Sequence, residues 1–283
     1  MLPFEPMLLP MLFAVTSEES TASTDDLVAL IERSQKLAVR ILTIANSASY
    51  GMEFKVSSLH RAISILGVRE IRTLAVMVGT ASLIRGAQLP KDFDAAGLWR
   101  HQLKTAAIAR ALAAGLGGPC GICGPDAPKE DRLSMAPDEA YVAGLLHDIG
   151  KVFFAIGRPD LWAEVEALRA QGGGQFFEAE YAYWGMDHAL IGAEVLHHWQ
   201  LPLLLTEPIN WHHAPELAPA YILESRLLAA ANLIAHSEQE KQEELCEEAV
   251  CLLPEGVNIA ALGVAVAQAV ADADADALTA LVK

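Results

Sequence analysis

Five consecutive residues, His147-Asp148-Ile149-Gly150-Lys151, carry the most distinctive chemistry in this chain. They follow the apolar run Tyr141-Val142-Ala143-Gly144-Leu145-Leu146. A histidine and an aspartate at the end of a buried helical segment are both costly to bury without partners. A divalent metal is one natural partner, taking a neutral nitrogen from the first and a charged oxygen from the second. Gly150 lets the backbone turn, and Lys151 adds a cation suited to a phosphate. The plainer reading is a helix-ending turn whose aspartate caps the next segment.

The other histidines favour the metal. His101, His147, Asp148, His188, His212 and Asn232 each fall on a different helix or helix end of the expected structure, apart from the adjacent pair. Helix bundles build metal sites this way, from single side chains on several helices. His212 and His213 are neighbours, and on a helix their side chains would diverge by about 100°. One of the two is therefore expected to reach the site, and His212 is the choice. His197 and His198 read as residues at the edge of the core, and His60 and His236 as surface. Asn46-Ser47 reads as a tight polar junction between helices.

The elements that must position these groups are helical. The chain has 283 residues, 53% of them apolar, rich in alanine and leucine and thin in aromatics. That composition favours helices. An N-terminal helical part is expected over residues 1–95, with a boundary near 91–96. A helical bundle follows over 96–236, and a helical and acidic extension over 237–283. Thr24-Asp25-Asp26 starts one helix. Ala45 to Gly51 stops another, Ser57 or Ser58 caps the next, and Gly67 ends it. The long Gly, Pro and Cys stretch from Gly115 to Pro137 reads as a surface excursion. The tail, with Asp272, Asp274 and Asp276 among alanines, reads as a peripheral helix and a solvated acidic segment.

The net charge of −16 argues against a general nucleic-acid binder, which needs clustered Lys and Arg. The N-terminus has no basic region ahead of an apolar one, and no uninterrupted apolar run reaches about 18 residues. A cytoplasmic protein without a membrane anchor is expected. Cys120, Cys123, Cys246 and Cys251 have the wrong spacing for a zinc ribbon, so free thiols are the default and a structural zinc the alternative.

The order of these residues resembles the HD superfamily of metal-dependent phosphohydrolases: a first His, then His-Asp, then a distal Asp. It more closely resembles the HDOD family, the HD-related output domain of bacterial signalling proteins, over about residues 5–236. The motifs are Met7-Leu8-Leu9-Pro10, Ile44 to Gly51, Ala62 to Gly67, Leu98-Trp99-Arg100-His101, Ala143 to Gly150, Asp187 to Ala193 and Trp199-Gln200-Leu201-Pro202. One alone would be weak; seven in collinear order are specific.

The resemblance implies an all-α protein, with an N-terminal helical subdomain packed on a degenerate HD-type bundle. It implies a divalent metal (iron, manganese or zinc) on His101, His147, Asp148, His188, His212 and Asn232. Lys151 and Asp148 are the catalytic candidates. The expected partners are signalling proteins of receiver, kinase or cyclase type, with a nucleotide ligand and a homodimer both allowed. The chain departs from the pattern at Asn232, where the superfamily has Asp; this lowers metal affinity and makes a bridging hydroxide harder to generate. Trp211-His212-His213-Ala214-Pro215-Glu216 keeps the paired histidines of the cyclic-di-GMP phosphodiesterase branch, but the Gly-Tyr-Pro motif is missing. From sequence alone, a regulatory module acting through protein contacts comes first. A metal-dependent phosphohydrolase or cyclic-dinucleotide phosphodiesterase is the rival, and a nucleotide sensor without turnover the third option.

Overall fold

The computed structural model describes residues 8–16, 20–47, 55–86, 88–117, 133–172, 176–237 and 245–282, and every regular element among them is helical. The Cys120–Cys123 pair, Met7 and residues 48–51 lie outside the described residues. The chain divides into two compact units, Met1–Ala87 with Trp199–Leu201, and Gln88–His198 with Pro202–Lys283.

The first unit contains α1 (Leu8–Val15), α2 (Thr24–Glu32), α3 (Gln35–Ala45), α4 (Leu59–Leu66) and α5 (Val68–Gly86). Its helix starts are set by serines. Ser23 and Asp26 form a reciprocal capping box on α2, and Ser34 and Ser58 accept from Leu37 N and Arg61 N. Gly67 separates α4 from α5 with φ 81°, the left-handed region where a side chain would be strained. Leu12, Ile31, Leu37, Ile41 and Ile71 are fully buried and form the apolar centre. The Asn46 amide donates to the Leu42 and Val56 carbonyls and accepts from Val56 N, tying the end of α3 to the chain ten residues later.

The second unit contains α6 (Ala95–Gly117), α7 (Pro137–Leu146), α8 (Ile149–Gly157), α9 (Pro159–Gly172), α10 (Phe176–Trp184), α11 (His188–His198), α12 (Leu203–Trp211), α13 (Ile222–His236), α14 (Glu247–Leu252) and α15 (Ile259–Val282). The long α6 runs against α7, α13 and α15, while α11 packs on α8 and α12. Leu89 and Phe93 pack on a cluster of Phe154, Ala155 and Trp162, which draws residues 88–94 into this unit. The C-terminal segment is more integrated than its composition suggests. α15 lies along α6 and buries Leu262, Val266 and Val270, a helical i, i+4, i+8 stripe.

Two glycines set the crossings that matter for the site. A Cβ on Gly144 would lie 2.6 Å from Ala106 Cα, so α7 meets the α6 backbone there. A Cβ on Gly150 would overlap the carbonyl oxygen of His188, so α8 meets the start of α11 there. Pro137–Gly157 is long and apolar enough to span a membrane by length and composition, but it is α7 and α8 interrupted by a turn at 147–148, and 78% of its apolar window is buried.

Candidate metal centre

The turn between α7 and α8 places His147 and Asp148. Asp148 occupies the position before α8, yet its side chain makes no capping hydrogen bond. The carboxylate turns instead into a ring of histidines. His188 Nε2 lies 2.9 Å from Asp148 Oδ1, while His147 Nε2 and His101 Nε2 lie 3.5 and 3.6 Å from Oδ2. Lys151, one turn along α8, donates to that same Oδ2 at 2.6 Å.

Two of the rings are aimed by the same device. The last carbonyls of a helix have no partner within it. His147 Nδ1 donates to Gly144 O and His212 Nδ1 donates to Ile209 O, both at 2.7 Å and both three residues back. With its proton committed on Nδ1, each ring presents an unprotonated Nε2. His212 Nε2 is buried without a hydrogen-bond partner. The Asn232 Oδ1 on α13 is likewise buried and unpartnered. Orphaned acceptors facing a cluster of further acceptors are the expected signature of a cation site.

Among the described residues the ligand-capable atoms fall into two groups, His101–His147–Asp148 and His188–His212–His213, each with its atoms within 4.8 Å of one another. Asp148 joins them, with one oxygen towards each. These residue types, imidazoles with one carboxylate, fit a divalent metal such as iron, manganese or zinc.

The electrostatics keep most of the rings neutral and ready to ligate. Burial pushes His101 down to about 2, against the pull of Asp148. It pushes His147 and His212 down to about 3 and His213 further still. Burial would raise Asp148, but His147, Lys151 and His188 together hold it well below the usual carboxylate range. His188 differs: burial and Lys151 oppose its charged form, but Glu180 and Asp148 outweigh them and raise it.

All the sequence-predicted site residues meet here. His101, Asp148, Lys151, His188, His212 and Asn232 line one open cavity of about 1060 Å³, and His147 is fully buried with its ring against those of His101 and His212. The expectation that His213 points elsewhere does not hold. α12 ends at Trp211, so residues 212 and 213 lie in a turn rather than on a helix, and His213 Nε2 comes 3.0 Å from His188 Nε2. His236 is exposed as expected, but its ring lies 4.3 Å from that of His101, tilted by 30°, and the residue also lines the cavity. Glu180, unread in the sequence, is buried and accepts from both the backbone N and Nδ1 of His188. His197 and His198 are exposed, and His60 pairs with Asp25.

Residues 2–215 match the HDOD domain family, and the chain belongs to that family. A curated relative, an uncharacterised protein of Treponema pallidum (strain Nichols), is 26% identical over 202 residues. The match covers 71% of this chain, which spans about a third (36%) of that relative's length. Among solved structures, a candidate phosphohydrolase of Shewanella amazonensis SB2B superposes with a TM-score of 0.72 at 23% identity, covering 98% of this chain and 95% of the other. A candidate signal transduction protein of Marinobacter aquaeolei VT8 superposes with a TM-score of 0.68 at 21% identity, covering 96% and 58%. At these identities the structural likenesses establish the all-α HD-type fold and no more.

Proposed function

We propose that this HDOD chain is a metal-dependent phosphohydrolase serving bacterial signalling, acting on a phosphoester of nucleotide or dinucleotide size. The observation that carries this reading is the cluster of five histidines around Asp148, three of them within 3.6 Å of its oxygens, beside Lys151, in a cavity of about 1060 Å³. That volume is at the upper end of small-molecule sites and exceeds the need of a lone phosphate. His101, His147 and Asp148 would hold one ion, and His188, His212 and His213 a second. A bound divalent metal supplies a Lewis acid for the phosphoryl oxygen and lowers the pKa of an attacking water. Lys151 meets the phosphate as a point charge. Phe93, Leu98 and Trp162 in the cavity lining offer apolar surface to the organic portion.

The test begins with metal content by elemental mass spectrometry, on wild type and His147→Ala purified without a histidine tag. Near-stoichiometric metal lost in the variant is expected. Manganese-loaded wild type is then assayed on cyclic dinucleotides and on a chromogenic phosphodiester. Absence of metal even after incubation with manganese or iron sinks the proposal. A second reading, a regulatory module that holds metal and acts through protein contacts without turnover, is favoured by Asn232, which brings no charge where the superfamily pattern has a carboxylate. Bound metal with no hydrolysis of any phosphoester selects it.

A further inference from the structure

Glu180 is 0% exposed, on a helix of mostly aromatic composition, FFEAEYAYW. A buried carboxylate is costly unless its acceptors are used. Its Oε2 accepts from the His188 backbone N at 2.8 Å and from the His188 ring Nδ1 at 2.6 Å. Both bonds land on one oxygen, and Oε1 is buried with no hydrogen-bond partner. The ring's other nitrogen, Nε2, faces Asp148 Oδ1 and His213 Nε2. A carboxylate behind a histidine fixes the ring's tautomer and orientation and makes its free nitrogen a stronger donor to a metal.

We propose that Glu180 is a positioning residue for the His188–His212–His213 half of the centre. It holds the proton on His188 Nδ1, turns Nε2 towards the ion, and supplies from one residue further out the second buried negative charge that Asn232 does not bring. The proposal rests on the metal-centre reading above. The rings are served differently: His147 in one half and His212 in the other are oriented by neutral backbone carbonyls, and His188 by a carboxylate. Because a single oxygen takes both bonds, Glu180→Gln can keep them through its amide oxygen. That substitution removes the charge and leaves the orientation.

The experiment is cobalt(II) titration of metal-free wild type and Glu180→Gln by calorimetry and visible absorption, with helicity checked by circular dichroism. Two classes of site are expected in wild type. In the variant one class keeps its affinity and the other weakens by about 10- to 100-fold. Unchanged affinities in both classes overturn the role of Glu180, as does an equal weakening of both, which marks general loosening. Wild type that binds no cobalt sinks the metal-centre reading itself. If Glu180→Gln does not fold, nitrogen-15 NMR of the zinc-loaded wild type decides. A His188 proton on Nδ1 supports the role, and one on Nε2 overturns it.

Discussion

His147 and His212 are equivalent in local structure although they end different helices. Each follows the last residue of its helix, donates Nδ1–H to the carbonyl three residues back at 2.7 Å, and presents Nε2 to the centre, with the two rings 5.2 Å apart and nearly perpendicular. Helix termination and ligand orientation are thus one event. His147→Ala and His212→Ala should each expose an unsatisfied buried carbonyl and cost about 1–3 kcal/mol in the metal-free protein. Each should also lose a different ion: the one shared with His101 for the first variant, the one shared with His188 for the second. Denaturant unfolding in EDTA, with metal counting on each variant, checks both halves.

The approach of α8 to α11 at Gly150 places Asp148 within reach of His188. A methyl group there would overlap backbone, which cannot move as a flexible side chain can. Gly150→Ala should therefore cost at least about 1–3 kcal/mol and reduce metal occupancy. Gly157, at the end of the same helix, has nothing within 4 Å of an added Cβ. Gly157→Ala should leave occupancy untouched and stabilise by about 0.5–1 kcal/mol. Paired thermal melts and metal counts on the two variants separate the crossing from general helix propensity.

The sequence reveals much of this site because its candidate ligands are histidines and an aspartate that interrupt apolar runs, most of them at helix ends. Glu180 is hidden for the opposite reason. Among FFEAEYAYW a glutamate reads as the solvated side of a helix, and only the chain path shows His188 folding back onto it. His213 is missed because the divergence argument assumes a helix that has already ended at Trp211. The stripe Leu262, Val266 and Val270 has the correct period, but exposed Ala261, Ala265, Ala271 and Asp272 dilute it, so its contact with α6 does not show in composition.

The buried neutral rings predict the acid response of the metal-free protein. His101, His147 and His212 titrate near 2 to 3 when folded, against 6.5 when unfolded. Below about pH 6.5 the unfolded chain takes up protons that the folded chain refuses, so stability falls as pH drops from 6.5 towards 3. His188 acts with the opposite sign. Its raised value stabilises the fold at low pH, and that contribution is lost as pH rises through its folded pKa. Asp148, held low, contributes above the unfolded carboxylate range, so its contribution does not change between pH 7.5 and 5. His213, lowered further still, acts with the three, so four groups outweigh one, and the melting temperature in EDTA should be lower at pH 5 than at pH 7.5. A flat or inverted profile would show that these rings are solvated in the folded protein.

Asn232 offers a test in which stability and metal affinity move in opposite directions. Its Oδ1 lines the cavity, buried and without a hydrogen-bond partner, and the residue is 8% exposed. Asn232→Asp puts a carboxylate at that position. In the metal-free protein the new charge lacks a compensating donor, and the variant should be less stable by about 1–3 kcal/mol or more. In the loaded protein the same charge faces cations, and affinity should rise by about tenfold or more. The midpoint of denaturation should therefore fall below wild type in EDTA and rise above it in saturating manganese. If the centre is hydrolytic, turnover rises with occupancy. If it is a holding site only, the two stability shifts appear without turnover. A variant equally stable with and without manganese would place residue 232 outside the reach of the ion.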